Sequence, residues 1–273
     1  MNTFKSLGFA ALAATALIAT QAFATTCPAG QEGSPTCIST TSSEATLEQL
    51  FDAGASGGIF SSGPGINPYT DQVSPSSYWQ LGGTGASENT VVLTLTGNTS
   101  TNSFGIFSKS DPTQMLQLFA GGATQGYQTS LQYFPLAGTL KVTESDALGN
   151  TVGTPVTVDA SAFSTFGYYL KVPNNQATFY SDSSLNQDGI AHEVAYAGNG
   201  QNTIAFNGLK FLSGEFLLAW EDTPAGNSDL DYNDFIVMVE SVHPVPEPAV
   251  LGMFGLGVLM LGGFAALRRR YTV

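Results

Sequence analysis

Short apolar runs separated by turn residues fill the middle of the chain. Each run is rich in β-branched and aromatic residues and is bounded by Gly, Asn, Asp or Pro, which is the pattern of β-strands. In chain order the runs are TVVLTLTG, SFGIFS, MLQLF, GTLKVTE, FGYYLKV, ATFYS, EFLLAW and FIVMVE. Because no amphipathic helices separate them, we expect an all-β fold, a β-sandwich or jelly roll, and not alternating βα units. Ser103–Phe107 and Thr165–Tyr169 share one pattern, which predicts two like strands of one sandwich.

One short helix is predicted before the strands. Thr46 is followed three residues later by Gln49, the spacing of a capping box, and Leu47, Leu50 and Phe51 recur at helical intervals. Residues 54–76 are rich in Gly, Pro, Ser and Asn and predict a long loop.

The runs EFLLAW and FIVMVE are apolar at alternate and at intervening positions, so both predict strands in the middle of a covered sheet. The connection from Glu221 to Asp234 is 14 residues long (234 − 221 + 1), longer than ordinary hairpin loops. If the two strands pair, the acidic ends of this loop are brought together.

The loop concentrates oxygen ligands: Glu221, Asp222, Asp229, Asp231, Asn233 and Asp234. No Lys or Arg occurs from Phe211 to Leu267, so a bound cation would relieve the repulsion between carboxylates. An all-oxygen set favours Ca²⁺ over zinc. A solvated Asp/Asn turn without an ion is the alternative, since these residues favour turns.

The spacing Asp229-x-Asp231-x-Asn233 copies the first half of an EF-hand loop, and Glu240 falls at its twelfth position. The sixth position is Asp234 instead of the turn-forming Gly, and the strand predicted after it would carry Glu240 away. We therefore expect a cation loop between strands and not an EF-hand.

Both chain ends predict export. Residues 1–24 combine Lys5, an apolar run and Ala22-Phe23-Ala24, the parts of a signal peptide that signal peptidase removes. Residues 249–267 form an uncharged apolar stretch of 19 residues (267 − 249 + 1) followed by Arg268, Arg269 and Arg270. This predicts a transmembrane helix with its C-terminus inside and the preceding domain outside.

The Pro246-Glu247-Pro248 triplet, the apolar helix and the arginines resemble the PEP-CTERM sorting signal of Gram-negative bacteria. The resemblance covers residues 245–270. It implies a transient inner-membrane anchor, processing by an exosortase, and delivery to the cell surface or exopolysaccharide matrix. A plain single-pass anchor is the alternative.

Composition limits the classes of partner that the exported part, residues 25–245, can bind. Its 20 acids (21 less Glu247) face four lysines (8 basic residues less Lys5 and the three arginines), a net charge of −16. Such a surface repels phosphate, so we expect no nucleic-acid partner.

The two cysteines, Cys27 and Cys37, predict one disulfide in an oxidising compartment.

Four segments follow from these patterns. They are the signal peptide at 1–24, a cysteine-containing segment with the helix at 25–76, the β-sandwich at 77–243, and the sorting signal at 244–273.

A second resemblance rests on the motif ED, a Gly/Asn loop and D-x-D-Y-N-D before an apolar strand. This motif is similar to the end of a widespread, poorly characterised domain of secreted bacterial proteins. The likeness runs from about Phe104 to Glu240. The likeness implies a β-sandwich with a suspected calcium site at the six loop residues and no assigned catalysis.

Three functions compete. The leading expectation is a non-enzymatic surface or matrix protein with a calcium-stabilised sandwich. The alternatives are a carbohydrate-binding module for exopolysaccharide, which needs exposed aromatic residues in a groove, and a secreted glycosidase, which needs two carboxylates about 5 to 10 Å apart. Trp79 and Trp220 are expected in the core, and His192 on the polar surface.

Overall fold

The computed structural model describes residues 31, 34–83, 85–94 and 100–246. The predicted signal peptide, Cys27, Glu247, Pro248, the apolar stretch 249–267 and the three arginines lie outside these residues. Among those described, no helix has both the length and the apolar character needed to cross a bilayer.

The described residues form one α-helix, three short 3-10 helices and sixteen strands. Helix α1 is Leu47–Phe51, and the 3-10 helices are Ala160–Phe163, Pro173–Asn175 and Ser183–Leu185. The strands are β1 Phe60–Ser62, β2 Gln72–Val73, β3 Trp79–Leu81, β4 Ala86–Thr94, β5 Ser103–Ser108, β6 Met115–Phe119, β7 Gln128–Phe134, β8 Thr139–Ser145, β9 Thr151–Asp159, β10 Phe166–Val172, β11 Ala177–Tyr180, β12 Glu193–Ala197, β13 Thr203–Ile204, β14 Glu215–Trp220, β15 Phe235–Glu240 and β16 Val242–Pro244.

Two antiparallel sheets pack face to face. The larger has the strand order β2-β12-β14-β15-β4-β7-β8-β9, and the smaller has the order β16-β3-β10-β5-β6, with β11 also paired to β10. The predicted β-sandwich is thereby confirmed. The two strands of like pattern, β5 and β10, are antiparallel neighbours in the smaller sheet, with Phe107 opposite Gly167.

The interior between the sheets is aromatic. Trp79, Trp220 and Tyr168 are almost completely buried there, so the prediction that both tryptophans are core residues is confirmed. Trp79 packs edge-on against Phe216 with ring centroids 4.8 Å apart. Burial of several large rings makes this interior the main source of hydrophobic stability.

A second apolar cluster covers the outer face of the larger sheet. Leu217 and Ile236, which point away from the first core, pack with Leu50 and Phe51 of α1. The prediction that β14 and β15 are covered on both faces is therefore confirmed. Helix α1 has the predicted capping box, in which Thr46 and Gln49 exchange hydrogen bonds.

The segment before residue 77 is built into this architecture. Strand β1 pairs with β13, and β2 pairs with β12 at the edge of the larger sheet. The cover formed by this segment lies over the same strands that hold the acidic loop.

Candidate metal centre

The acidic loop, defined as residues 221–234, connects two neighbouring strands. β14 and β15 are antiparallel, and Trp220 lies opposite Phe235. The main-chain N–H of Asp222 donates to a carboxylate oxygen of Asp234 at 2.8 Å and closes the base of the loop. The predicted pairing thus places both acidic ends of the loop side by side.

Three carboxylates converge inside the loop. One oxygen each from Glu221, Asp229 and Asp231 lies within 4.8 Å of the others. Glu221 and Asp231 are 1% exposed, whereas Asp229 is exposed. Two oxygens bound to one Ca²⁺ at about 2.4 Å each are separated by at most about 4.8 Å. This acidic group has the donor type and spacing to hold a metal ion.

Two residues between the acids have an unusual backbone. Leu230 and Tyr232 have φ values of 58° and 55°, in the left-handed region that non-glycine residues rarely occupy. Such conformations cost about 1 to 3 kcal/mol each and persist where neighbouring contacts impose them. Here the Tyr232 hydroxyl donates to the carbonyl of Ala191 at 2.8 Å, and the carbonyl of Leu230 accepts from Ser39 N–H at 2.8 Å.

The segment before α1 closes one side of the loop. The hydroxyl of Ser42 donates to Asp229 at 3.2 Å, and the amide of Asn233 donates to the carbonyl of Ala45 at 2.8 Å. The same amide nitrogen donates to Asp231 at 2.7 Å. Residues 39–45 and the loop therefore form one structural unit, although 187 positions separate Ser42 from Asp229.

Burial and mutual repulsion favour the protonated forms of Glu221, Asp231 and Asp234. Burial, then repulsion from Asp234, Asp229 and Asp231, raises the pKa of Glu221 to about 8. Burial, then repulsion from Asp222, raises the pKa of Asp234 to about 7. Burial also raises the pKa of Asp231. Among the described residues, no Lys or Arg forms an ion pair with Glu221, Asp229 or Asp231.

Asp222 lies on another side of the loop base. Its carboxylate accepts hydrogen bonds from the Asn102 amide at 3.0 Å and the Thr223 hydroxyl at 3.1 Å, and its carbonyl accepts from Asn175 at 2.9 Å. Of the six predicted ligands, the structure groups Glu221, Asp229 and Asp231 as one potential ion site. Asn233 fastens this group to the segment before α1, and Asp222 and Asp234 close the loop base.

The expectation that His192 is exposed is wrong. Its side chain is completely buried and stacks on Phe179 with ring centroids 3.8 Å apart. One ring nitrogen lies 2.9 Å from Asp188, and the other lies 3.3 Å from the carbonyl oxygen of Glu221. Asp188 also accepts from Ala225 N–H at 3.0 Å. The polar sequence context gave no sign of this packing, because Phe179 lies in β11 of the smaller sheet, whereas His192 directly precedes β12 of the larger one.

Two further predictions concern residues that lie partly outside the described part of the chain. Cys37 is disulfide-bonded, while Cys27 lies outside the described residues, so the pairing of the two stays a prediction. Pro246 ends the described chain, and the sorting signal beyond it stays a prediction as well.

Comparison with known proteins finds one family model that matches part of the chain. No curated protein and no solved structure matches the chain. The match begins just before β9, so β1 to β8, including the piece near Phe104, lie outside it, whereas the whole acidic loop lies within it. Residues 149–242 contain the domain of unknown function DUF4114.

Proposed function

We propose that this chain is an exported, non-enzymatic protein of the cell surface or extracellular matrix, whose β-sandwich is stabilised by Ca²⁺ in the acidic loop. The convergence of Glu221, Asp229 and Asp231 within 4.8 Å carries the proposal. Oxygen-only ligands of this kind suit calcium, which tolerates irregular coordination. Export and sorting by an exosortase rest on the terminal sequences.

The proposed ion would lock the cover of the larger sheet in place. Asp229 already contacts Ser42, and Asp231 contacts Asn233, which contacts Ala45. An ion bound between the carboxylates removes their repulsion and so strengthens the attachment of residues 39–45. Calcium outside the cell would then hold the exported domain in its folded form.

Calcium titration tests this proposal. We expect millimolar calcium to raise the melting temperature of the EDTA-treated protein, because an ion that binds only the folded state stabilises it. The double variant Asp229→Asn/Asp231→Asn should lose this response. The matched control is Asp111→Asn/Asp146→Asn, which alters two aspartates that accept hydrogen bonds within their own turns. An unchanged melting temperature in the native protein, or a full response in the loop variant, contradicts calcium binding at this site.

A groove supports carbohydrate binding as a second candidate function. The groove has a volume of about 620 Å³ and is lined by Tyr133, Gln80, Asp159 and Ser161, among others. Tyr133 is 40% exposed, so its ring can stack on a sugar, while the polar side chains can bind hydroxyl groups.

Tyr133→Ala should weaken retention on the exopolysaccharide of the native host, with Tyr127→Ala, outside the groove, as control. Equal retention of both variants excludes this role for the groove.

The glycosidase remains the third alternative. The converging acids lie within 4.8 Å of one another, whereas the two carboxyls of glycosidases are separated by about 5 to 9.5 Å. Their spacing suits a shared ion better than a sugar ring between them.

A further inference from the structure

Glu193 is a buried acid on the opposite face of β12 from the helix cover. Its side chain is 4% exposed, and one carboxylate oxygen accepts from the Ser76 hydroxyl at 3.0 Å. The other carboxylate oxygen is buried without a hydrogen-bond partner among the described residues. An unsatisfied buried oxygen of this kind costs free energy unless another group is supplied.

Glu193 lines a small polar cavity. The cavity has a volume of about 190 Å³, and its wall also includes Thr36, Gln72, Ser74 and Ser183. It lies where the segment before α1, the residues after β2 and the turn after β11 meet. Exposed Ser74 on its wall places the cavity at the protein surface. About 10 to 15 Å³ of such space holds one water molecule, so this cavity accommodates a small ion with part of its water shell.

The wall supplies no positive charge. None of the described residues that line the cavity is Lys, Arg or His. Burial raises the pKa of Glu193 to about 8, with the Ser76 hydrogen bond acting in the opposite direction. A proton or a bound cation can therefore relieve the carboxylate, and the cavity provides room for the cation.

The chemistry of the cavity wall limits which cations can bind. Its side-chain ligands are the Glu193 carboxylate, hydroxyls and the Gln72 amide oxygen. This oxygen set suits hard ions and does not suit zinc, copper or nickel, which favour nitrogen or sulfur ligands. One carboxylate among neutral oxygens balances one positive charge, whereas a divalent ion would leave a net positive charge beside the buried carboxylate. We propose that this cavity binds a monovalent alkali cation, Na⁺ or K⁺, with Glu193 as its anionic ligand.

This site is separate from the acidic loop. Glu193 points to the face of β12 that carries Ala195 of the inter-sheet core, whereas Val194 and Tyr196 point to the helix cover. A cation here would join the start of β12 to Ser76 and to the turn after β11. The proposal therefore stands or falls independently of calcium binding.

The test compares salts at one ionic strength, using the full chain with saturating calcium. We expect NaCl or KCl to raise the melting temperature by about 3 to 6 °C over choline chloride, whose cation is too bulky for the cavity. Glu193→Gln keeps the shape and the Ser76 contact but loses the charge, so the variant should melt at the same temperature in all three salts. Glu215→Gln, a half-buried acid elsewhere in the larger sheet, should respond as the native protein does.

Further measurements keep the outcome decisive. Asp229→Asn/Asp231→Asn, measured without calcium, should keep the sodium or potassium response. Should Glu193→Gln fail to fold, Ser76→Ala should reduce the response, because the hydroxyl that orients Glu193 is removed. A crystal soaked in Rb⁺ should show the ion beside Glu193. Equal melting of the native protein in all three salts, a full response in Glu193→Gln, or Rb⁺ bound only elsewhere would overturn the proposal.

Discussion

The carboxyl group of Glu221 is subject to two opposing demands. Cation binding needs its charged form, whereas its burial beside Asp229, Asp231 and Asp234 disfavours that charge. In the unfolded chain the group titrates near its ordinary value of 4.5, and in the folded chain at about 8. Its contribution to stability without an ion is therefore complete below pH 4.5 and is lost as the pH rises through about 8.

Glu221→Gln should therefore show opposite effects with and without calcium. In EDTA, the melting temperature of the variant relative to the native protein should rise between pH 4.5 and 8, because glutamine does not titrate. With calcium at pH 8, the native protein should be the more stable of the two. Melting curves across this pH range measure both effects, with Glu88→Gln as a control. Parallel pH profiles in EDTA would show that Glu221 does not carry the buried charge.

Helix α1 is the element that connects the cover to the acidic loop. Leu50 is 2% exposed and packs in the outer cluster, and the segment leading into the helix contacts Asp229 and Asn233. A five-residue helix is too short to be stable alone, so its order depends on this packing. Loss of the apolar anchor should consequently weaken the loop as well.

Leu50→Ala tests this connection. We expect the variant to lose about 2 to 5 kcal/mol of folding free energy and to melt at least about 5 °C lower. Its calcium-induced shift should also shrink, because the carbonyl of Ala45 no longer holds Asn233 in place. Leu136→Ala is the matched control, since Leu136 is fully exposed in the β7–β8 turn. A normal calcium shift in Leu50→Ala would mean that loop and helix are independent.

Local patterns in the sequence predicted helices, strands and loops better than they predicted contacts between segments distant in the chain. The capping box at Thr46, the two-faced apolar strands β14 and β15, and the long loop between them all depend on neighbouring residues, and all are present. Strand β9 was not predicted, because its half-exposed and exposed residues lack a buried face. The contacts of Ser42 and Ala45 with the loop were also missed, since nothing near either residue specifies a partner so distant in the chain.

At the scale of the whole molecule, the described domain lies between two predicted export signals. Val242–Pro244 pairs with β3 in the smaller sheet, so the chain is held in the sandwich until just before Pro246. The predicted recognition triplet therefore directly follows a folded edge strand. Two prolines around Glu247 favour an extended backbone, which a protease can bind more readily than a helix.

Glu247→Gln distinguishes sorting from simple anchoring. If an exosortase recognises the triplet, the variant should cross the inner membrane normally but remain unprocessed, because the carboxylate is the one charged group between the two prolines. Fractionation of cells that express the full chain, followed by mass measurement, would show an uncleaved membrane-bound form. Asp146→Asn removes a charge from a turn of the sandwich and should be processed as the native protein is. Normal cleavage of Glu247→Gln would instead support a plain anchor, in which the prolines only end the helix.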